Sequence, residues 1–187
     1  KRVYLIGFSG GARVACMVAQ GVSGVSGVIA CSAGFQPNRS SLGFHFIGVA
    51  GSQDMNYLEM RKLNGVLDSL RIPNQFIVFK GKHQWPNEST VSEAITMLDI
   101  YATKESVIPK NSQLIANYLS SCKGRIETLR SFSNGDSLAS AYSIATRTIQ
   151  TLEGVTNLDE IKSVASELYD NSEVRKYFAS QLQLEKY

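Results

Sequence analysis

Val3-Tyr4-Leu5-Ile6-Gly7-Phe8-Ser9-Gly10-Gly11-Ala12-Arg13-Val14-Ala15 carries an apolar run into a glycine-flanked serine, then into small and apolar residues. A short apolar run without strict alternation suits a strand buried on both faces, and the stretch from Gly11 to Gln20 reads as a helix. Ser9 therefore falls at a strand-to-helix seam. With no Cβ, Gly7 and Gly11 would let the two elements approach closely around the turn. The helix N-terminus would supply amide donors and a positive dipole end, suited to a developing oxyanion. The plain alternative is a Gly-rich turn with a spectator serine, since turns favour both residue types.

Working outward, the same alternation repeats. Residues 27–33, 44–50 and 75–80 are further short apolar runs, and helical patterns lie between and after them. Tyr57 to Leu70 sets Leu63, Val66, Leu67 and Leu70 at helical spacing, with Asn56 and Glu59 as its start signal. A helix from about Asn87 to Thr103 carries Val91, Ile95 and Leu98 on one face. Strand and helix in this order imply an α/β fold with a parallel sheet and right-handed crossovers.

Beyond residue 104 the strand pattern stops. Four helical stripes follow, led by Leu114, Leu138, Leu158 and Val174 and separated by loops at Gly124, Asn134-Gly135, Gly154 and Asp170-Asn171. Thr156 with Asp159 reads as a capping box for the third. The expected organisation is an α/β domain over residues 1–103 and an all-α region over 104–187. That region should form helical hairpins, tetratricopeptide-like in shape but without a repeat of motif residues. Leu138, Tyr142, Ile149, Leu168 and Phe178 are expected to point inward, because apolar stripes gain by leaving water.

The 187 residues suit one domain plus a modest second one. Lys and Arg outnumber Asp and Glu by nine to six in residues 1–103 and match them ten to ten in 104–187, so neither half has the basic block of a nucleic-acid or membrane-surface binder. No apolar stretch reaches the roughly 18–20 residues of a bilayer span. Cys16, Cys31 and Cys122 form neither a CxxC pair nor a ligand cluster with the two histidines, so neither a metal nor a cofactor is expected. Localisation is not legible.

A nucleophilic serine needs a base, and the base needs an orienting acid. His83 follows the fourth apolar run in a loop, Lys80-Gly81-Lys82-His83-Gln84-Trp85-Pro86, ahead of a helix. His45 lies inside a strand and reads as a packed residue. Asp54 comes just past the third run, in the loop before the helix that starts at Asn56; a turn or capping role is its alternative. Asp54 stands 45 residues after Ser9, and His83 stands 29 after Asp54, room enough for the intervening elements.

Taken together, the strand, Gly7-Phe8-Ser9-Gly10-Gly11 and the helix resemble the nucleophile elbow of the α/β-hydrolase superfamily. The chain order Ser9, Asp54, His83 matches the order in that family. Lys82-His83-Gln84-Trp85-Pro86 is similar to a Gly-His-x-Trp-Pro segment of several esterase branches, with Lys82 standing where those have glycine. The resemblance covers residues 1–103 and only the second half of that fold, about four strands from the nucleophile strand onward. It implies Ser9 as nucleophile, His83 as general base and Asp54 as the acid that holds the imidazole tautomer. It also implies the Gly10 backbone N–H as one oxyanion donor, while no residue can be assigned to the second.

Two functions from different classes follow as expectations. The first is an esterase-like serine hydrolase acting on small-molecule acyl substrates through an acyl-enzyme. The second is a non-catalytic interaction module, with a degenerate hydrolase core and a partner-binding helical tail. Dehalogenase chemistry is disfavoured, because that branch carries Asp where Ser9 stands; peptidase, lipase, thioesterase and carboxylesterase are not separated. The resemblance further implies that an N-terminal half of the fold is missing. Val3–Phe8 would then be an exposed edge that pairs with that half or self-associates, and this chain alone would hydrolyse activated esters poorly.

Overall fold

The apolar runs become strands in the computed structural model, which describes residues 2–38 and 41–184. They are β1 (Val3–Phe8), β2 (Val25–Cys31), β3 (His45–Gly51) and β4 (Asn74–Phe79). All neighbours pair in parallel, in the order β1-β2-β3-β4. Seven helices complete the described chain: α1 (Gly10–Gly21), α2 (Tyr57–Ser69), α3 (Glu88–Lys104), α4 (Ser112–Ser131), α5 (Gly135–Leu152), α6 (Asp159–Asp170) and α7 (Ser172–Leu184). The protein is of the α/β class. Among the described residues no helix is long and apolar enough to cross a membrane.

The chain divides into two units, Lys1–Leu98 and Asp99–Tyr187, with the boundary inside α3. In the first unit, strand alternation separates two faces. Val28, Ala30, Phe46 and Ala50 share one core cluster with Ala12 and Cys16 of α1 and with Met60, Leu63 and Leu67 of α2. That cluster puts α1 and α2 on the same face. Opposite them, Leu98 of α3 lies against the position a Gly27 side chain would take, 2.7 Å from its Cβ. Met60, Leu63 and Leu67 make the buried stripe of α2, whereas Val66 and Leu70 face solvent. Ala94, Met97 and Leu98 bury α3 and leave Ile95 exposed. Helical spacing was right in both cases, but it does not tell which of two apolar stripes meets the sheet.

In the second unit α5 packs against α4, α6 and α7. Small residues take its core-facing side, namely Ala139, Ala141, Ala145 and Thr148, and Leu168 of α6 is fully buried. Leu138, Tyr142, Ile149 and Phe178 are only half-buried. Small side chains let helix axes come close, which moves the bulky ones to the flanks of the contact. Asn111 and Asn134 cap α4 and α5, accepting from the backbone N–H groups of Leu114 and Ser137 at 3.0 and 2.9 Å. The start of α6 differs from the Thr156–Asp159 box. The Asn157 side chain accepts from the Asp159 N–H at 3.0 Å, and the helix begins after it.

Candidate active site

Ser9, Asp54 and His83 all follow the C-terminal ends of parallel strands, β1, β3 and β4. Ser9 is the first residue past β1 and has φ 53°, ψ −122°, a conformation that L residues rarely adopt. Its N–H donates to the Cys31 carbonyl at 2.8 Å, and its carbonyl accepts from Ala12 at 3.0 Å. The peptide is thus tied to the sheet on one side and to α1 on the other. The turn is tight enough that a Cβ on Gly7 would sit 2.3 Å from the Gly11 carbonyl oxygen. Gly7 is therefore required there. A Cβ on Gly11 would meet nothing within 4 Å, so the close approach rests on Gly7 alone. Gly10 opens α1, and its N–H has no intrahelical partner by position.

Asp54 is placed by a short ladder of bonds. Ser52 N–H donates to Phe79 O, Gln53 N–H to Gly81 O and Asp54 N–H to Gly51 O, at 2.8, 2.9 and 3.1 Å. The loops after β3 and β4 run so close that a Cβ on Gly51 would lie 2.4 Å from the Gly81 carbonyl oxygen. Lys82 occupies ordinary negative-φ backbone, so the absence of glycine there imposes no strain. His83 Nδ1 lies 2.9 Å from Asp54 Oδ1, and His83 Nε2 lies 3.1 Å from Ser9 Oγ. A carboxylate only accepts, which makes Nδ1 the donor and leaves Nε2 to accept from the Ser9 hydroxyl. The Asp54 side chain is fully buried and that of His83 is 24% exposed.

The Asp54 carboxyl is held below the usual carboxylate range. Burial alone would raise it; the Ser32 hydroxyl, the Asn56 N–H and His83 act against burial and prevail. The Asn56 N–H donates to Asp54 Oδ1 at 2.8 Å, and its side-chain amide donates to the Ser32 carbonyl at 2.7 Å. Asn56 was expected as a helix cap paired with Glu59. Its side chain instead reaches back to β2's end, while Glu59 accepts from Arg13 at 2.8 Å and from the Gly34 N–H at 2.9 Å. Phe8 lies with its ring centroid 4.9 Å from that of His83 and 5.3 Å from that of Trp85.

Ser32, Asn56 and Phe8 are the neighbours that sequence reasoning gave no part in the site. The small residues Ser32-Ala33-Gly34 at the end of the second apolar run were the available signal for the first of them. His45 opens β3, at the end of that strand away from Asp54. Burial pushes the Cys16 and Cys31 thiols up to about 12, so neither is a thiolate nucleophile near neutral pH. Among the described residues, no three His, Cys, Asp or Glu side chains converge as a metal ion would need. Compared with protein-family models, curated proteins and solved structures, the chain matches none.

Proposed function

We propose that the chain is a serine hydrolase of the α/β-hydrolase type, acting on ester-type acyl substrates. The observation that carries this reading is the hydrogen-bond chain from Asp54 Oδ1 through His83 to Ser9 Oγ, at 2.9 and 3.1 Å. Such an arrangement links a nucleophile, a base and an orienting acid within bonding reach. Ser9 Oγ forms a bond to the acyl carbon while its proton passes to His83 Nε2. The Asp54 carboxylate stabilises the imidazolium that results. The Gly10 N–H serves the developing oxyanion. When the intermediate collapses, the ester C–O bond breaks and the leaving oxygen takes the proton from Nε2. Water then repeats the sequence on the acyl-enzyme and frees the acid.

A fluorophosphonate probe tests this directly. Intact-mass and peptide analysis should show one adduct, on Ser9, that Ser9→Ala abolishes. The same variant should lower turnover of an activated acetate ester by about a million-fold, the loss that follows removal of such a nucleophile. A chain that takes no adduct and releases no product above the buffer rate overturns the reading.

A further inference from the structure

Two buried polar atoms at this site face the interior without a hydrogen-bond partner, Ser32 Oγ and Asp54 Oδ2. Asp54 Oδ1 receives both the imidazole and the Asn56 N–H, so the carboxylate is bonded through one oxygen only. Ser32 is wholly buried and directly follows β2 with φ 59°, a left-handed backbone that costs a residue with a Cβ. Its N–H donates to Val49 O at 2.8 Å, and its carbonyl accepts from Asn56 Nδ2 at 2.7 Å. The backbone is thereby locked on both sides, one of them by the same Asn56 whose N–H donates to Asp54 Oδ1. That hydroxyl is also the strongest of the influences that keep the Asp54 carboxyl low.

We propose that Ser32 is a positioning residue for Asp54, its buried hydroxyl turning to donate to Oδ2 so that Oδ1 stays presented to His83. A serine hydroxyl has one proton to give, and an ionised carboxylate oxygen can only accept. A hydrogen bond from the Ser32 hydroxyl to Oδ2 would satisfy both orphan atoms at once. Burying a carboxylate is tolerated where hydrogen bonds meet its charge, and Ser32 adds the one that Oδ2 lacks. His83 is the charged or titratable group acting on this carboxyl; Ser32 itself does not titrate in the working range. The role rests on the hydrolase reading, but the contact can be measured without it.

The experiment uses the full chain with Ser32→Ala and Ser32→Gly. Glycine takes the left-handed backbone without strain, so it removes the hydroxyl even if alanine impairs folding. Carbon-13 NMR of the Asp54 carboxyl should show it titrating about one pH unit higher in both variants, the shift expected on losing one charge-assisted hydrogen bond. With p-nitrophenyl acetate, kcat should fall about tenfold while KM stays unchanged, because Ser32 orients the acid and does not touch substrate. An Asp54 titration equal to wild type in Ser32→Gly overturns the contact. A shifted titration with unchanged kcat overturns the positioning role. A wild-type chain whose Ser9 takes no fluorophosphonate overturns the hydrolase reading instead, and the carboxyl titration still decides the contact.

Discussion

Among the described residues, four serines have a positive φ and divide evenly between the two units. Ser9 and Ser32 in Lys1–Leu98 have φ 53° and 59°; Ser106 and Ser133 in Asp99–Tyr187 have φ 58° and 54°. The second pair closes helix ends in the open. Ser106 follows α3 and Ser133 follows α4, both exposed, with N–H groups bonded to Thr103 O and Arg130 O at 3.0 and 3.2 Å. A left-handed residue there is the ordinary way to stop a helix, and glycine serves better. The first pair sits at strand ends with neither freedom. Ser9 is tied to Cys31, and Ser32 is wholly buried between Val49 and Asn56. A similar positive φ thus means termination in one unit and a residue pinned at a strand end in the other. Backbone strain points to function only where the surroundings hold it against relaxation.

The sharpest way to break this contrast is at the acid. Asp54→Asn keeps the shape and should lower kcat by about ten-thousandfold, since the amide no longer fixes the imidazole tautomer. It should also change the acid limb of stability. Because the folded carboxyl lies below its unfolded value, Asp54 contributes stability that is fully present above about pH 4 and fades as pH falls through the lowered folded value. Denaturant midpoints of wild type and Asp54→Asn should therefore converge between pH 5 and the acid end, and a constant gap would contradict the shift.

Gly7→Ala comes next. Its Cβ would lie 2.3 Å from one backbone atom of α1 and 2.6 Å from another, so the turn must open. A loss of about 3 kcal/mol is expected, the upper part of the range for overpacked sites. Trp85, the one tryptophan of the chain, reports it by fluorescence from within the same unit. In the helical unit the corresponding changes have the opposite sign. Gly124, expected as a loop residue, lies inside α4; there Gly124→Ala, whose new methyl meets nothing within 4 Å, should gain about 0.5–1 kcal/mol. Ser133→Gly should gain about 0.5 kcal/mol by relieving its left-handed φ. Urea unfolding followed by circular dichroism reads both. The smallest effect belongs to Glu167→Gln, which breaks the 2.6 Å pair with Arg130; with Glu167 64% exposed, the loss should be about 0.3 kcal/mol and vanish in molar salt.

Much of the first unit was legible because buried parallel strands must be apolar throughout. The four runs lie within two residues of the observed strands; β2 spans Val25–Cys31, two residues earlier than the run 27–33. Strand ends carry the order of Ser9, Asp54 and His83, since residues just past parallel strands gather at one edge of a sheet. What spacing could not supply was tertiary recruitment. Asn56 and Glu59 have the form of a capping box, yet both bond across to the segment after β2. Ser32 gave no periodic signal at all, because its surroundings depend on Asn56, which lies beyond the next strand in sequence and one bond away in space.

The hydrogen bonds of the site join residues 74 and 29 positions apart along the chain, with β2, β3 and β4 lying between Ser9 and His83. Those closures are entropically the last to be favourable, since each needs the intervening segments already ordered. A refolding chain should accordingly regain its helical signal before it regains reactivity toward a fluorophosphonate. Labelling of Ser9 then becomes a clock for the completion of the sheet, started when denaturant is diluted and stopped only when β4 has docked.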